Sequence, residues 1–190
     1  MKFRYLAGLL AALAVGPALA DATATVEEIY SGYGDNQVLT GHKVTVTITP
    51  NAADVGRPGA YYIGVMRNGN DLAFYQNGTW FPPSTDGKSN VYQPAEFFQA
   101  VPGGSRSYVV LNNQLICSLV GPGNNAVVYA GYGVLTPQYE YLVQNYHATA
   151  NPKVPADHIR NTYVRMDMNN SKKYWNVLNW NCPSDNGGGS

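Results

Sequence analysis

The chain has 190 residues, with 12 basic and 12 acidic side chains, no net charge, and charged residues at only 13% of the total. A neutral balance gives no electrostatic reason to bind nucleic acid, whose recognition rests on neutralising phosphates. The length is that of one ordinary domain, able to bury a core of its own, so neither a metal nor a cofactor is expected as a folding aid.

Lys2 and Arg4 precede an Ala/Leu-rich run from Leu6 to Val15, which Pro17 ends; Ala18-Leu19-Ala20 is a small-x-small cleavage pattern before Asp21. Residues 1–20 therefore read as a signal peptide. A membrane anchor fits less well, because the run is shorter than the roughly 20 residues a bilayer span needs. No later segment is apolar enough to serve as a transmembrane segment. Cleavage leaves 170 residues with 10 basic and 12 acidic groups, whose low charge puts Asn, Gln, Ser, Thr, Gly and 14 tyrosines on the surface.

Lys43–Thr49 alternates Val44, Val46 and Ile48 with Thr45, Thr47 and Thr49, the period-two signature of a half-buried strand. Ala60–Arg67, Asp71–Gln76 and Thr79–Phe81 follow as a meander, joined by Asn68-Gly69-Asn70 and Asn77-Gly78, which are hairpin turn signals. Ser84–Asn90 is a polar loop, and Val91–Val101 a helical turn or an irregular strand. Ser105–Leu111 and Gln114–Val120 read as paired strands about Asn112-Asn113, and Ala126–Tyr132 as a central strand. Gln138–His147 alternates Tyr139, Tyr141 and Val143 with Gln138, Glu140, Leu142 and Gln144, and Thr162–Met168 alternates Val164, Met166 and Met168 with Tyr163, Arg165 and Asp167; both are expected to be strands. Ala148–Asp157 holds Pro152 and Pro155 and is expected to be a loop, and Tyr174–Cys182 is the last strand. No segment past the leader shows a sustained helical repeat. The expected fold is all-β, an immunoglobulin-like or related antiparallel β-sandwich over residues 21–182, with a flexible Gly-rich tail at 183–190.

Cys117 and Cys182 are the two cysteines. An even count in an exported chain predicts one disulfide bond. Neither has a His or second Cys at metal-ligand spacing, so no metal site is expected there. Tyr30-Ser31-Gly32-Tyr33-Gly34 and Tyr129-Ala130-Gly131-Tyr132-Gly133 share a Y-x-G-Y-G string with unmatched flanks. It is expected to mark strands in which Gly lets a neighbouring ring lie on the backbone.

Catalytic signals are thin. His42, His147 and His158 have no nucleophile-elbow serine to serve, and Ser118, beside Cys117, is expected to be buried in a strand. Glu27 and Glu28 would point to opposite faces of a strand, leaving Glu96 and Glu140 unpaired for glycoside chemistry. Asp86-Gly87 and Asn68–Asp71 lack calcium-loop spacing. Aromatic rings near loops are the better candidates: Trp80 and Phe81 before Pro82-Pro83, with Tyr139 and Tyr141 expected on one strand face as a sugar-stacking platform. The expected function is that of an exported, non-catalytic binding module, periplasmic, at the cell surface or extracellular. It would contact a protein or glycan through loops and strand edges. A carbohydrate-binding module using those rings, and a secreted enzyme of unknown type, are the alternatives.

Overall fold

The computed structural model describes residues 20–82, 84–85, 90–91, 93–149 and 156–184. Residues 1–19 of the expected signal peptide, Asp86-Gly87, most of the expected 148–157 loop and the Gly-rich end of the tail lie outside these. Two antiparallel sheets pack face to face. The first has the order β1-β2-β9, from β1 (Asp21–Ser31), β2 (Val38–Thr49) and β9 (Arg106–Gln114). The second has the order β11-β10-β3-β4-β5, from β3 (Gly59–Arg67), β4 (Asp71–Gln76), β5 (Thr79–Phe81), β10 (Asn125–Val134) and β11 (Tyr174–Asn181), with β8 (Glu96–Phe98) beside the start of β3. The short strands β6 (Ser84–Thr85) and β7 (Asn90–Val91) pair only with each other. This is the expected disulfide-bonded sandwich, layered as immunoglobulin-like domains are. Among the described residues no helix is long and apolar enough to cross a membrane.

The alternation in β2 works as the sequence predicts. Val44, Val46 and Ile48 face inward and are buried, while Thr47 and Thr49 pair outward with the Ser107 and Ser105 hydroxyls at 2.8 Å. The two hairpins of the meander are set by turn chemistry. Asn68-Gly69 (φ 49° and 75°) and Asn77-Gly78 (φ 49° and 83°) supply the paired positive φ values that a tight two-residue turn requires.

Three expected strands are helices. Gln114–Val120 does not pair back on its predecessor: β9 runs on through Asn112 and pairs with β2, and α1 (Ile116–Val120) follows. Asn113, at φ 55°, is the extra residue of a bulge opposite His42 and Lys43, where a Cβ on Gly41 would meet its backbone. Cys117 therefore sits on a helix, and Ser118 is exposed on it rather than buried. Gln138–His147 falls within α2 (Pro137–Thr149) and Thr162–Met168 within α3 (Ala156–Asn170). The buried face of α3 is Ile159, Asn161, Val164, Asp167 and Met168. Two of those five are polar, which hid the helical period. For α2 a start signal is present at Thr136-Pro137: the Thr136 hydroxyl accepts from the Tyr139 amide at 3.1 Å, with Pro at the first helical position.

The core accordingly has two parts. Between the sheets lie Val46, Ile48, Tyr61, Ile63, Tyr132 and Val134, all almost fully buried. Behind the second sheet, Ala60, Tyr62 and Leu135 pack against Val143 of α2 and Val164 and Met168 of α3. Gly133 allows this second layer, because a Cβ there would run into the Val164 carbonyl of α3 and lie 3.1 Å from the Met168 nitrogen. The last glycine of this Y-x-G-Y-G string thus admits a helix backbone, not the expected ring. Its counterpart, Gly34 at φ 58°, opens the single turn that follows β1, so the two strings do different work. A ring does lie on a glycine elsewhere: Phe74 covers Gly64 across the β3–β4 pair.

Candidate functional site

The sandwich is closed at one end and open at the other. Along β3 the inward residues Tyr61 and Ile63 are fully buried, whereas Val65 is only half-buried and Arg67 is exposed. Leu111 of β9, Leu72 of β4 and Leu178 of β11 are likewise half-buried. The facing sheets do not meet there, and a cleft of about 440 Å³ is left between them. Its walls include Val65, Val110, Val128 and Leu178, with the indoles of Trp80 and Trp180. Leu119 of α1, 54% exposed, stands at the mouth, and among the described lining residues Arg67 is the charged one. Size and lining are those of a site for a small apolar group with few polar fixings.

Each wall is held from elsewhere in the chain. The β9 bulge at Val110 leaves carbonyls unpaired with β2; the Val110 oxygen accepts from Trp80 Nε1 and the Val109 oxygen from the Tyr75 hydroxyl, both at 2.9 Å. Trp80 is therefore fixed edge-on to Tyr75 (5.6 Å, 67°) with its ring toward the cleft. Those two bonds also occupy acceptors that an added strand would need, which speaks against strand addition at this edge. Trp180 donates to Cys117 Sγ at 3.4 Å and meets the edge of His42 at 5.1 Å. Cys117 and Cys182 form the expected bridge, with Cα atoms 5.4 Å apart, tying α1 to the end of β11.

The other expected ring residues do not join Trp80. Phe81, its neighbour on β5, is 43% exposed and lies opposite Phe74 on the other face of the sheet from the cleft. Tyr139 and Tyr141 are on α2, not on a strand, and two residues apart on a helix they point away from each other. Tyr139 stacks on Tyr163 of α3 (5.1 Å, 28°), and Tyr141 is 65% exposed. The shared Tyr139/Tyr141 face is thus corrected. Trp180 and Leu178, which sequence reading left unassigned to a site, carry a legible signal: they are i and i+2 on the last strand and so share one face.

Behind the Trp180 indole lies a second recess, of about 560 Å³, with Glu28, His42 and Ser118 among its lining residues. Glu28 and His42 are directly opposite on β1 and β2. A hydrolytic triad nevertheless fails on the ring's hydrogen bond. His42 Nδ1 accepts from the Ile116 amide at 3.3 Å, so the neutral ring carries its proton on Nε2 and has no free acceptor there for a serine. Glu28 accepts from the Tyr30 hydroxyl at 2.5 Å, which, with its charge, raises the pKa of that phenol. Glu96 is engaged by Arg106 Nε and Nη2 and by the Tyr108 hydroxyl, each at 2.7 Å, and Glu27 by Lys43 at 3.1 Å. His158 is exposed at the start of α3, and the His147 side chain lies outside the described residues.

A third depression, of about 320 Å³, lies on the outer face of the second sheet beside α3. Gly64 and Gly131 form its floor, and Tyr62, Phe74, Tyr129 and Tyr174 stand around it. Register explains the pattern, since Tyr62 is opposite Gly131 and Tyr129 opposite Gly64.

No protein family, curated protein or solved structure matches this chain.

Proposed function

We propose that this chain is an exported binding module that acts without a catalytic set and takes a hydrocarbon group of its partner into the cleft between the sheets. The observation that carries the reading is the burial gradient along the sandwich: inward-facing Val65, Leu111 and Leu178 remain half-buried around an apolar space of about 440 Å³. A domain of this size ordinarily closes such residues against each other, since each buried methylene is worth about 0.8 kcal/mol. Export is supported by the leader and by the Cys117–Cys182 bridge, which suits an oxidising compartment.

Titration of the mature protein with decanoate, followed by tryptophan emission and by the thermal midpoint, tests this. The expected result is a saturable change in emission from Trp80 and Trp180 and a midpoint that rises with ligand concentration. Val65→Phe, which fills the cleft while keeping an apolar wall, should fold and lose both responses. A wild-type protein indifferent to decanoate, or a Val65→Phe variant that responds as wild type does, removes the reading.

A second reading has its own observation. The outer-face depression has a glycine floor, aromatic walls and no charged residue among its described lining residues, a surface on which an uncharged sugar ring could stack. Binding on a glycan array that Tyr129→Ala abolishes would favour it, and an array without a hit would remove it.

A further inference from the structure

At the closed end of the sandwich, two buried carboxylates hold one half-buried amine. Asp54, on the single turn after β2, is 7% exposed and Asp167 of α3 is 6% exposed. Lys173, which follows Lys172 at φ 53° in the turn out of α3, places its Nζ 2.9 Å from Asp54 Oδ2 and 2.9 Å from Asp167 Oδ2. The Tyr132 ring lies 5.3 Å from the amine and is itself stacked on Trp175 (6.3 Å, 16°). This cluster takes no part in the cleft, which is at the other end of β10.

The two carboxylates are held differently. Asp167 Oδ2 also accepts from the Val134 amide at 3.0 Å, and the Ser171 hydroxyl is 3.4 Å from Oδ1; backbone and helix fix it as a proton acceptor. Asp54 Oδ2 accepts from the Tyr132 hydroxyl at 2.8 Å, while the Arg57 guanidinium stands 3.7 Å from Oδ1. A phenol on one oxygen and a cation near the other are what an oxyanion growing on that carboxyl group would need. Nucleophile, electrophile and proton acceptor are thus preassembled, and enclosure of this kind supplies a high effective concentration.

We propose that Lys173 and Asp54 join in an intramolecular isopeptide bond, with Asp167 as the proton carrier. The proton balance closes within the cluster. One proton moves from the Lys173 ammonium to Asp54, which turns the ion pair into a neutral amine and a carboxylic acid. The Nζ lone pair attacks Asp54 Cγ, forming the C–N bond and placing charge on Oδ1, which Arg57 faces, while Oδ2 beside Tyr132 carries the hydroxyl that departs. Asp167 takes a proton from the attacking nitrogen and returns it to the departing hydroxyl of Asp54. The Cγ–OH bond breaks, one water leaves, and Asp167 is again a carboxylate. No oxidant, reductant or cofactor is required. The product ties the loop after β2 to the start of β11 across 119 residues of chain, at the opposite end of the sandwich from the disulfide.

The test is the intact mass of the purified, reduced mature protein, followed by peptide mapping. The expected chain is one water lighter than its sequence, with a branched peptide linking the segments that contain Asp54 and Lys173. Asp54→Asn should lose ammonia in place of water, Asp167→Asn should slow closure at least tenfold, and Lys173→Arg should keep full mass. A wild-type protein of full mass, with Asp54 and Lys173 in separate peptides after prolonged incubation in the folded state, overturns the proposal; that readout does not depend on whether any variant folds.

Discussion

Two tyrosines whose rings lie 6.0 Å apart should respond to loss of the hydroxyl with opposite sign. Tyr61 is fully buried, and its hydroxyl has no hydrogen-bond partner among the described residues. Burial lifts its pKa to about 12. Tyr61→Phe keeps the contacts with Phe98, Tyr108 and Tyr132 and removes only the stranded oxygen. An unsatisfied buried polar group costs about 1–3 kcal/mol, so the variant should be more stable by about 1 kcal/mol once imperfect repacking is allowed for. Tyr132 is as deeply buried, but its hydroxyl accepts from the Asn51 amide and donates to Asp54, both at 2.8 Å. Tyr132→Phe strands an amide and weakens a buried carboxylate, for a loss of about 2–4 kcal/mol. Urea unfolding at neutral pH reads both changes as shifts in midpoint at unchanged slope. A Tyr61→Phe variant destabilised by more than about 1 kcal/mol, or a Tyr132→Phe variant indistinguishable from wild type, would refute the assignment of partners.

Three further outcomes are expected. Gly133→Ala should cost more than about 3 kcal/mol, at the overpacking limit, because the new methyl meets the α3 backbone rather than a side chain that can turn aside; an unchanged midpoint with unchanged helical circular dichroism would contradict the packing. Cys182→Ser opens a bridge spanning 65 residues and should cost about 4 kcal/mol on the chain-entropy estimate, and melting that ignores reductant would count against it. Burial is the leading cause of raised pKa values at Tyr61, Tyr62, Tyr108 and Tyr132. The unfolded chain releases those protons near pH 10, and the folded chain retains them longer. Stability is therefore full below pH 10 and falls as pH rises from there toward 12 at Tyr61. Ultraviolet titration of the folded protein should show a late-ionising class, and a single transition near 10 for all tyrosines would contradict the burial.

What the amino-acid sequence settles alone is whatever short-range chemistry decides. Val44–Thr49 alternates, and alternation has one stable use in a half-buried sheet. Asn68-Gly69 and Asn77-Gly78 turn because these residues accept positive φ, whatever lies around them. Trp80 is legible as an aromatic candidate beside a loop, and the cysteine pair as a bridge, from an even count in a chain with an export-like N-terminus. The tertiary structure decided what depends on distant partners. Asn161 and Asp167 sit on the buried face of α3 because the Tyr62 hydroxyl meets one at 2.6 Å and Lys173 with the Val134 amide meets the other; without those partners the segment's apolar residues read as a strand. The space between Trp80 and Trp180 follows from how far the two sheets diverge, which no local pattern records. The approach of Lys173 to Asp54 depends on the path of two helices and a turn. Burying a polar group is favourable only once its partner is in place, so a sequence read segment by segment assigns such residues to the surface, and only the assembled fold brings them inside.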